Sequence, residues 1–303
     1  MKKNIIGFVL VVIIIIAGIY FFTRSPSKTD VATNTTVATT TDNSQINPAT
    51  TTPANGSKTV IGTSVEGREI DAYTYGSGDT NLLFVGGIHG GYEWNTALVA
   101  YQMMDYLKAN PTAVPANVKV TVIPVLNPDG LNKVVGTTTG NFGVKDVAAS
   151  TATVVAGRFN GNTVDLNRNF DCDWQANGVW QSKTVSGGDA AFSEPESLAF
   201  KNFVEAYKPT AVVVWYSSAG GVYSSSCHNG VSAETKALTQ TFAKASGYPA
   251  FETFDFYAIT GDMVNWLAKS NIPAISVLLT DHTSTESSKN QAGLQAVLQS
   301  YAK

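Results

Sequence analysis

Short apolar runs of strand length alternate with longer runs of helical spacing from about Thr59 to Tyr301, and this alternation predicts an α/β domain with a largely parallel sheet. Two further observations support it. The apolar runs end in glycine or turn residues, and the chemically distinctive motifs fall just after them, where ligands sit in open α/β sheets. Residues 68–75 read as a strand. Asn81 to Gly86 is a buried strand closed by glycines. Tyr92 to Leu107 has helical apolar spacing and stops near Asn110-Pro111. Val118 to Leu126 is β-rich and runs into Asn127-Pro128-Asp129-Gly130, which reads as a turn. Pro195 to Tyr207 reads as a helix, with Ser193 as its cap and Pro195 in its first turn. Ala211 to Tyr216 is a buried strand and Ser232 to Ser246 a helix. Asp262 to Lys269 is a shorter helix, Ala274 to Leu279 a buried strand, and Asn290 to Tyr301 a terminal helix. There is no internal repeat.

The chain has 303 residues, of which 44% are hydrophobic and only 14% charged. The imbalance is local. Met1-Lys2-Lys3 precedes an uncharged apolar run from Ile5 to Phe22, long enough for a membrane span with the N-terminus in the cytoplasm. A cleaved signal peptide is the alternative, although Tyr20-Phe21-Phe22 is bulky where a cleavage site would lie. Either reading of residues 1–24 puts the rest of the chain outside the cytoplasm. Residues 25–57 are rich in Thr, Ser, Asn and Pro, without aromatics, and read as a disordered stalk. Residues 58–303 form the folded domain. A net charge of −3 argues against nucleic acid as a partner. Two cysteines exclude a multi-cysteine metal module, and three histidines, His89, His228 and His282, limit any metal site.

Four motifs carry chemistry. GGIHGGYEW places His89 and Glu93, a nitrogen and an oxygen donor, on a strand-to-helix turn. NPDG follows at 127–130. VDLNRNFD, residues 164–171, sets an Asn-Arg pair at a strand end, a neutral donor beside a guanidinium fork suited to a carboxylate. Arg158 lies ten residues before Arg168 and adds a second cation. FSEPES, 192–197, is a structural helix start.

In this order, with YAITGDMVNW at 257–266, the motifs resemble the zinc carboxypeptidases of the carboxypeptidase A type, a group that includes bacterial cell-wall peptide amidases. The resemblance covers about residues 58–303. It implies a twisted, mixed, largely parallel sheet with helices on both faces, and one zinc ion. His89 and Glu93 match the first two zinc ligands. Arg158 matches the arginine that polarises the scissile carbonyl. Asn167 and Arg168 match the pair that grips the substrate's terminal carboxylate. Tyr257 matches the tyrosine that closes over the substrate. Val264 matches a position that sets side-chain preference and suggests an apolar pocket. Cys172 and Cys227 would flank such a site, and an exported location permits a disulfide between them.

Three departures stand against the family's pattern. The His-x-x-Glu pair has one extra residue here, which two glycines can absorb. Tyr216 stands where the third zinc ligand is a histidine, and neither Trp215 nor Ser217 restores one. Leu278 stands where the general-base glutamate belongs. Asp281 and His282 are the nearest substitutes along the strand, and His228 the nearest spare imidazole. The expected function is therefore a membrane-anchored, extracytoplasmic relative of the metallocarboxypeptidases that acts on or binds peptide tails, including peptidoglycan-derived ones, with impaired catalysis. The alternatives are an active zinc carboxypeptidase or cell-wall amidase with altered ligands, and a non-catalytic surface scaffold.

Overall fold

Tyr216 and Leu278 face each other across neighbouring strands, and the sheet that brings them together is the frame of the domain. The computed structural model describes residues 56–303; the anchor or signal sequence at 1–24 and nearly all of the stalk at 25–57 lie outside the described residues. The strands are β1 (Ser57–Thr63), β2 (Glu69–Gly76), β3 (Thr80–Val85), β4 (Val118–Ile123), β5 (Asn177–Trp180), β6 (Lys183–Ser186), β7 (Ala211–Ser217), β8 (Gly221–Ser224), β9 (Ala250–Phe251) and β10 (Ala274–Leu279). The helices are α1 (Trp94–Ala109), α2 (Pro128–Val135), α3 (Thr151–Ala156), α4 (Pro195–Tyr207), α5 (Ala233–Ser246), α6 (Met263–Lys269) and α7 (Ser287–Ser300). Eight strands form one sheet in the order β1-β2-β4-β3-β7-β10-β8-β9, and β5 and β6 form a separate hairpin. The central run β4-β3-β7-β10 is parallel, whereas β1-β2, β2-β4 and β10-β8 pair antiparallel.

Alternate side chains of the central strands enter two cores. Leu82, Phe84, Val213, Trp215 and Val277 pack under α1, α5 and α7, with Phe242 and Leu298 among their neighbours. Leu83, Val85, Val212 and Val214 pack against Phe200 of α4 and Leu267 of α6. Helices therefore cover both faces, and β7 is buried along its whole length, as its unbroken apolar run requires.

Local signals account for two differences from the sequence reading. NPDG is not a free turn: Asn127 caps α2, accepting a hydrogen bond from Gly130 N at 2.8 Å, and Pro128 occupies the first helical turn. Ser193 does not cap α4. Glu194 holds the cap position, and the Ser193 hydroxyl instead donates to the Glu194 carboxylate at 3.0 Å.

Candidate functional site

A cavity of about 920 Å³ opens beyond the carboxyl ends of β3, β7 and β10. All the residues singled out by the resemblance, His89, Glu93, Arg158, Asn167, Arg168, Tyr257, Val264, Tyr216 and Leu278, line it, together with Cys172 and Cys227.

His89 leaves β3 and is followed by a single 3-10 turn, Gly90–Glu93. Gly90 has φ +46°, and a Cβ there would meet the Gly130 backbone at 2.8 Å, so the tight turn needs glycine. The extra residue is absorbed in this turn, and Glu93 Oε1 comes 2.9 Å from His89 Nδ1. Both residues are buried. The contact is out of line for a hydrogen bond: both ring nitrogens of His89 are buried without a hydrogen-bond partner. Glu93 Oε2 accepts from Ser217 N at 3.0 Å.

Arg158 and Asp165 form the buried ionic centre behind them. Arg158 Nε donates to Asp165 Oδ2 at 2.8 Å, and Asp165 Oδ1 accepts from Asn167 N at 3.1 Å. Burial alone pushes the Asp165 carboxyl upward. The charge of Arg158, the His89 ring at 3.6 Å and the charge of Arg168 outweigh it and hold that carboxyl well below its usual range. The Arg158 guanidinium lies 4.4 Å from the Trp180 ring centre, on the β5–β6 hairpin. Its terminal nitrogens donate no hydrogen bond within the described residues, which leaves them available to an incoming carbonyl. Two residues further on, Asn160 Nδ2 donates to the buried carboxylates of Glu194 (2.6 Å) and Glu196 (3.0 Å), fixing the segment that carries Arg158.

The turn Leu166–Arg168 presents the Asn-Arg pair. Arg168 is buried, with Nε and Nη2 donating to Val179 O at 3.0 and 2.7 Å and Nη1 to Asn167 O at 2.6 Å. A guanidinium has five N–H donors, so each terminal nitrogen keeps one for a ligand. Asn167 Oδ1 accepts from Tyr216 Oη at 3.2 Å and from Met263 N at 3.1 Å. Tyr257 is half-buried beside Arg168, its ring centre 5.9 Å from the guanidinium carbon. Phe254 and Phe256 extend this wall as an aromatic rim.

The residues present do not fit a catalytic zinc ion. Such a site takes three protein donors plus water. The orphaned nitrogens of His89 and the Glu93 carboxylate supply two. The third position holds the Tyr216 phenol, whose proton is committed to Asn167. Burial, with the nearby carboxylates of Asp262 and Glu93, pushes its ionisation well above the usual 10. Among the described residues, the one grouping of at least three candidate ligands is Cys172, Asp173 and Cys227, and its two sulfurs are bonded to each other. His228 does not fold back to His89; it pairs with Asp173 at 2.9 Å on the exposed rim. Nor does Asp281 replace the general base. β10 ends at Leu279, and the Asp281 carboxylate turns to Thr283 N and Ser284 N.

Sequence reasoning missed three site residues, Tyr92, Trp180 and Asp262, and placed a fourth, His282, along the strand. His282 reaches the cavity because the chain turns after β10, and its Nδ1 lies 2.7 Å from Ser217 Oγ. Tyr92 and Trp180 flank Arg158, with Tyr92 packed edge-on against Trp180. Asp262, just before α6, is buried with Oδ1 unpartnered. Its place inside YAITGDMVNW was the available signal. Burial raises the Asp262 carboxyl to about 6 despite the charge of Arg168. Its folded-state value exceeds the unfolded one, so the folded chain gains stability as pH falls from about 6 to 4. Asp262→Asn is accordingly expected to stabilise the domain by about 3 kcal/mol above pH 7 and by nothing below pH 4. Urea titrations at the two pH values check this.

Cys172 and Cys227 form a disulfide between the Asn-Arg turn and the segment after β8. With the two cysteines 55 positions apart in sequence, its removal as Cys172→Ala/Cys227→Ala is expected to cost about 4 kcal/mol by loop-closure entropy. A denaturant midpoint measured for both forms tests that figure.

A family model described as zinc carboxypeptidase matches residues 46–302. A gamma-D-glutamyl-L-diamino acid endopeptidase of Lysinibacillus sphaericus is 25% identical over 219 residues, covering 66% of this chain and 55% of that protein. The chain thus spans about half the length of this curated relative. The murein-tripeptide amidase MpaA of Escherichia coli O157 superposes with TM-score 0.58 at 20% identity, over 81% of this chain and 93% of that one. Thrombin-activatable fibrinolysis inhibitor superposes with TM-score 0.63 at 18% identity, over 82% and 68%. These two likenesses are of fold.

Proposed function

Because the chain belongs to the zinc carboxypeptidase family, we propose that it is an extracytoplasmic domain, tethered to the membrane through residues 1–24, that binds peptide C-terminal tails and hydrolyses them poorly. The observation that carries this reading is the pairing of Leu278 with Tyr216 in the β10–β7 register. The two positions that would finish the metal site and supply the general base lie side by side, and neither offers a ready ligand or a proton acceptor. Loss of a general base by itself costs about 10²–10⁴ in rate. The binding half of the site is intact in kind: Arg168 keeps two donors for a carboxylate, Arg158 faces the cavity, and Tyr257 stands at its edge. Murein and diamino-acid peptides, the substrates that two relatives' names announce, are the tails this reading favours.

Calorimetry with acetylated tripeptides on the full-length chain tests it. Binding is expected for the free acid and not for the C-terminal amide, with no released amino acid over hours. Equal binding of acid and amide contradicts the reading. A second reading, an active zinc peptidase or amidase, draws on the partnerless nitrogens of His89 beside Glu93. Release of the terminal residue would favour it.

A further inference from the structure

We propose that Ser218 and His282 form a serine acyl-transfer pair on the cavity wall, with Ser218 Oγ as nucleophile and His282 Nε2 as its base, acting on carboxylic esters. This activity is separate from the tail binding proposed above.

Ser217 ends β7 and Ser218 is the next residue, so both stand at the carboxyl end of a central strand. His282 comes to them from the turn after β10. Its ring lies between the two hydroxyls: Nδ1 is 2.7 Å from Ser217 Oγ, and Nε2 is 3.3 Å from Ser218 Oγ. All three residues line the cavity. Ser217 is buried, whereas Ser218 is exposed.

The hydrogen bonds behind the ring decide which nitrogen carries the proton. The buried Asn95 side chain donates from Nδ2 to Asp281 O at 2.8 Å and to Ser284 O at 2.9 Å, which turns its Oδ1 toward Ser217. Ser217 Oγ donates its one proton to that oxygen at 3.3 Å, and no other donor among the described residues reaches it. The short Nδ1 contact therefore needs its proton on nitrogen, with Nδ1 donating to Ser217 Oγ. In a neutral imidazole the other nitrogen is then an acceptor. Nε2 faces the Ser218 hydroxyl in that state. Burial holds the ring's ionisation below the usual 6.5, against the pull of Glu93, so it is neutral at pH 7. Asn95 and Ser217 are positioning residues, and His282 and Ser218 are the base and the nucleophile.

Ser218 Oγ bonds to the ester carbonyl carbon as its proton passes to Nε2. The carbonyl oxygen becomes an oxyanion in the cavity that the Arg158 guanidinium also lines. The C–O bond to the alcohol then breaks, and the leaving oxygen takes the proton from Nε2. Water, losing a proton to the same nitrogen, attacks the acyl–Ser218 ester, releases the acid and restores the hydroxyl. Esters fit this pair better than peptides. An alkoxide leaves far more readily than an amine, and Nδ1 rests on a hydroxyl rather than a carboxylate.

A fluorophosphonate, which phosphonylates serines activated by a base, tests the pair on the full-length chain. Labelling, located by mass spectrometry of tryptic peptides, is expected at Ser218. His282→Gln is expected to slow it by about 10²–10⁴-fold, the size of a lost general base. Ser217→Ala should also slow it, and Ser217→Thr, which keeps the hydroxyl, should recover the rate. Turnover of p-nitrophenyl acetate should fall to background in Ser218→Ala. No labelling, labelling at another residue, or an unchanged rate in His282→Gln overturns the inference. The labelled position in the unaltered chain decides even if a variant folds poorly.

Discussion

Asp165→Ala is expected to destabilise the folded domain by about 3–5 kcal/mol at pH 7, the cost of leaving a buried charge without its partner. The stranded group is Arg158, whose Nε loses its one hydrogen bond while the guanidinium stays buried. Asn167 N loses its acceptor as well, so the turn that presents Arg168 loosens. The effect has a pH signature. The folded-state ionisation of Asp165 is depressed, so its contribution is fully present above the unfolded value near 4. It is lost as pH falls further into the acid range. Urea unfolding at pH 7 and pH 3 should show a gap between the two proteins that is about 1 kcal/mol smaller at pH 3, where only the first part of that loss has occurred. A gap of equal size at both would mean that lost packing, not charge, is responsible.

Arg168→Ala is expected to weaken tail binding by about 2–5 kcal/mol, roughly thirtyfold or more, as when one side of a buried charge pair is truncated. Because Arg168 also ties down Val179 O and Asn167 O, part of any loss can come from a disturbed turn. A peptide amide separates the two causes. If the guanidinium grips the carboxylate, the original and altered chains should bind the amide equally weakly. Arg168→Lys keeps the charge but loses the fork, so it should recover only part of the affinity.

These two residues also show how much was legible in advance. VDLNRNF announced the Asn-Arg pair because donor chemistry is local to the motif, and both residues line the cavity. The central strands were legible because β3, β7 and β10 are largely buried and read as nearly continuous apolar runs. The edge elements were not. β8 and β9 are short, and the β5–β6 hairpin has few apolar residues, so Trp180 gave no hint that it would lie over Arg158. Asp165 sits inside the recognised motif, yet its part as counter-ion to Arg158 and neighbour of His89 depends on distances no spacing reveals. As a substitute along the strand, His282 would need the strand to continue past Leu279. It reaches the site because the strand stops at Leu279 and the chain turns.

On the function proposed above, Tyr216 and Leu278 leave a domain able to bind a tail but not to complete a zinc-dependent cleavage. The most direct measurement is bound zinc per chain after dialysis, together with release of the terminal residue from acetyl-Ala-Ala-Lys. It is made on the full-length chain and on Tyr216→His/Leu278→Glu. Well under one zinc per chain and no release are expected for the natural sequence, with both gained in the double variant. Near one zinc per chain with steady release from the natural sequence would contradict it.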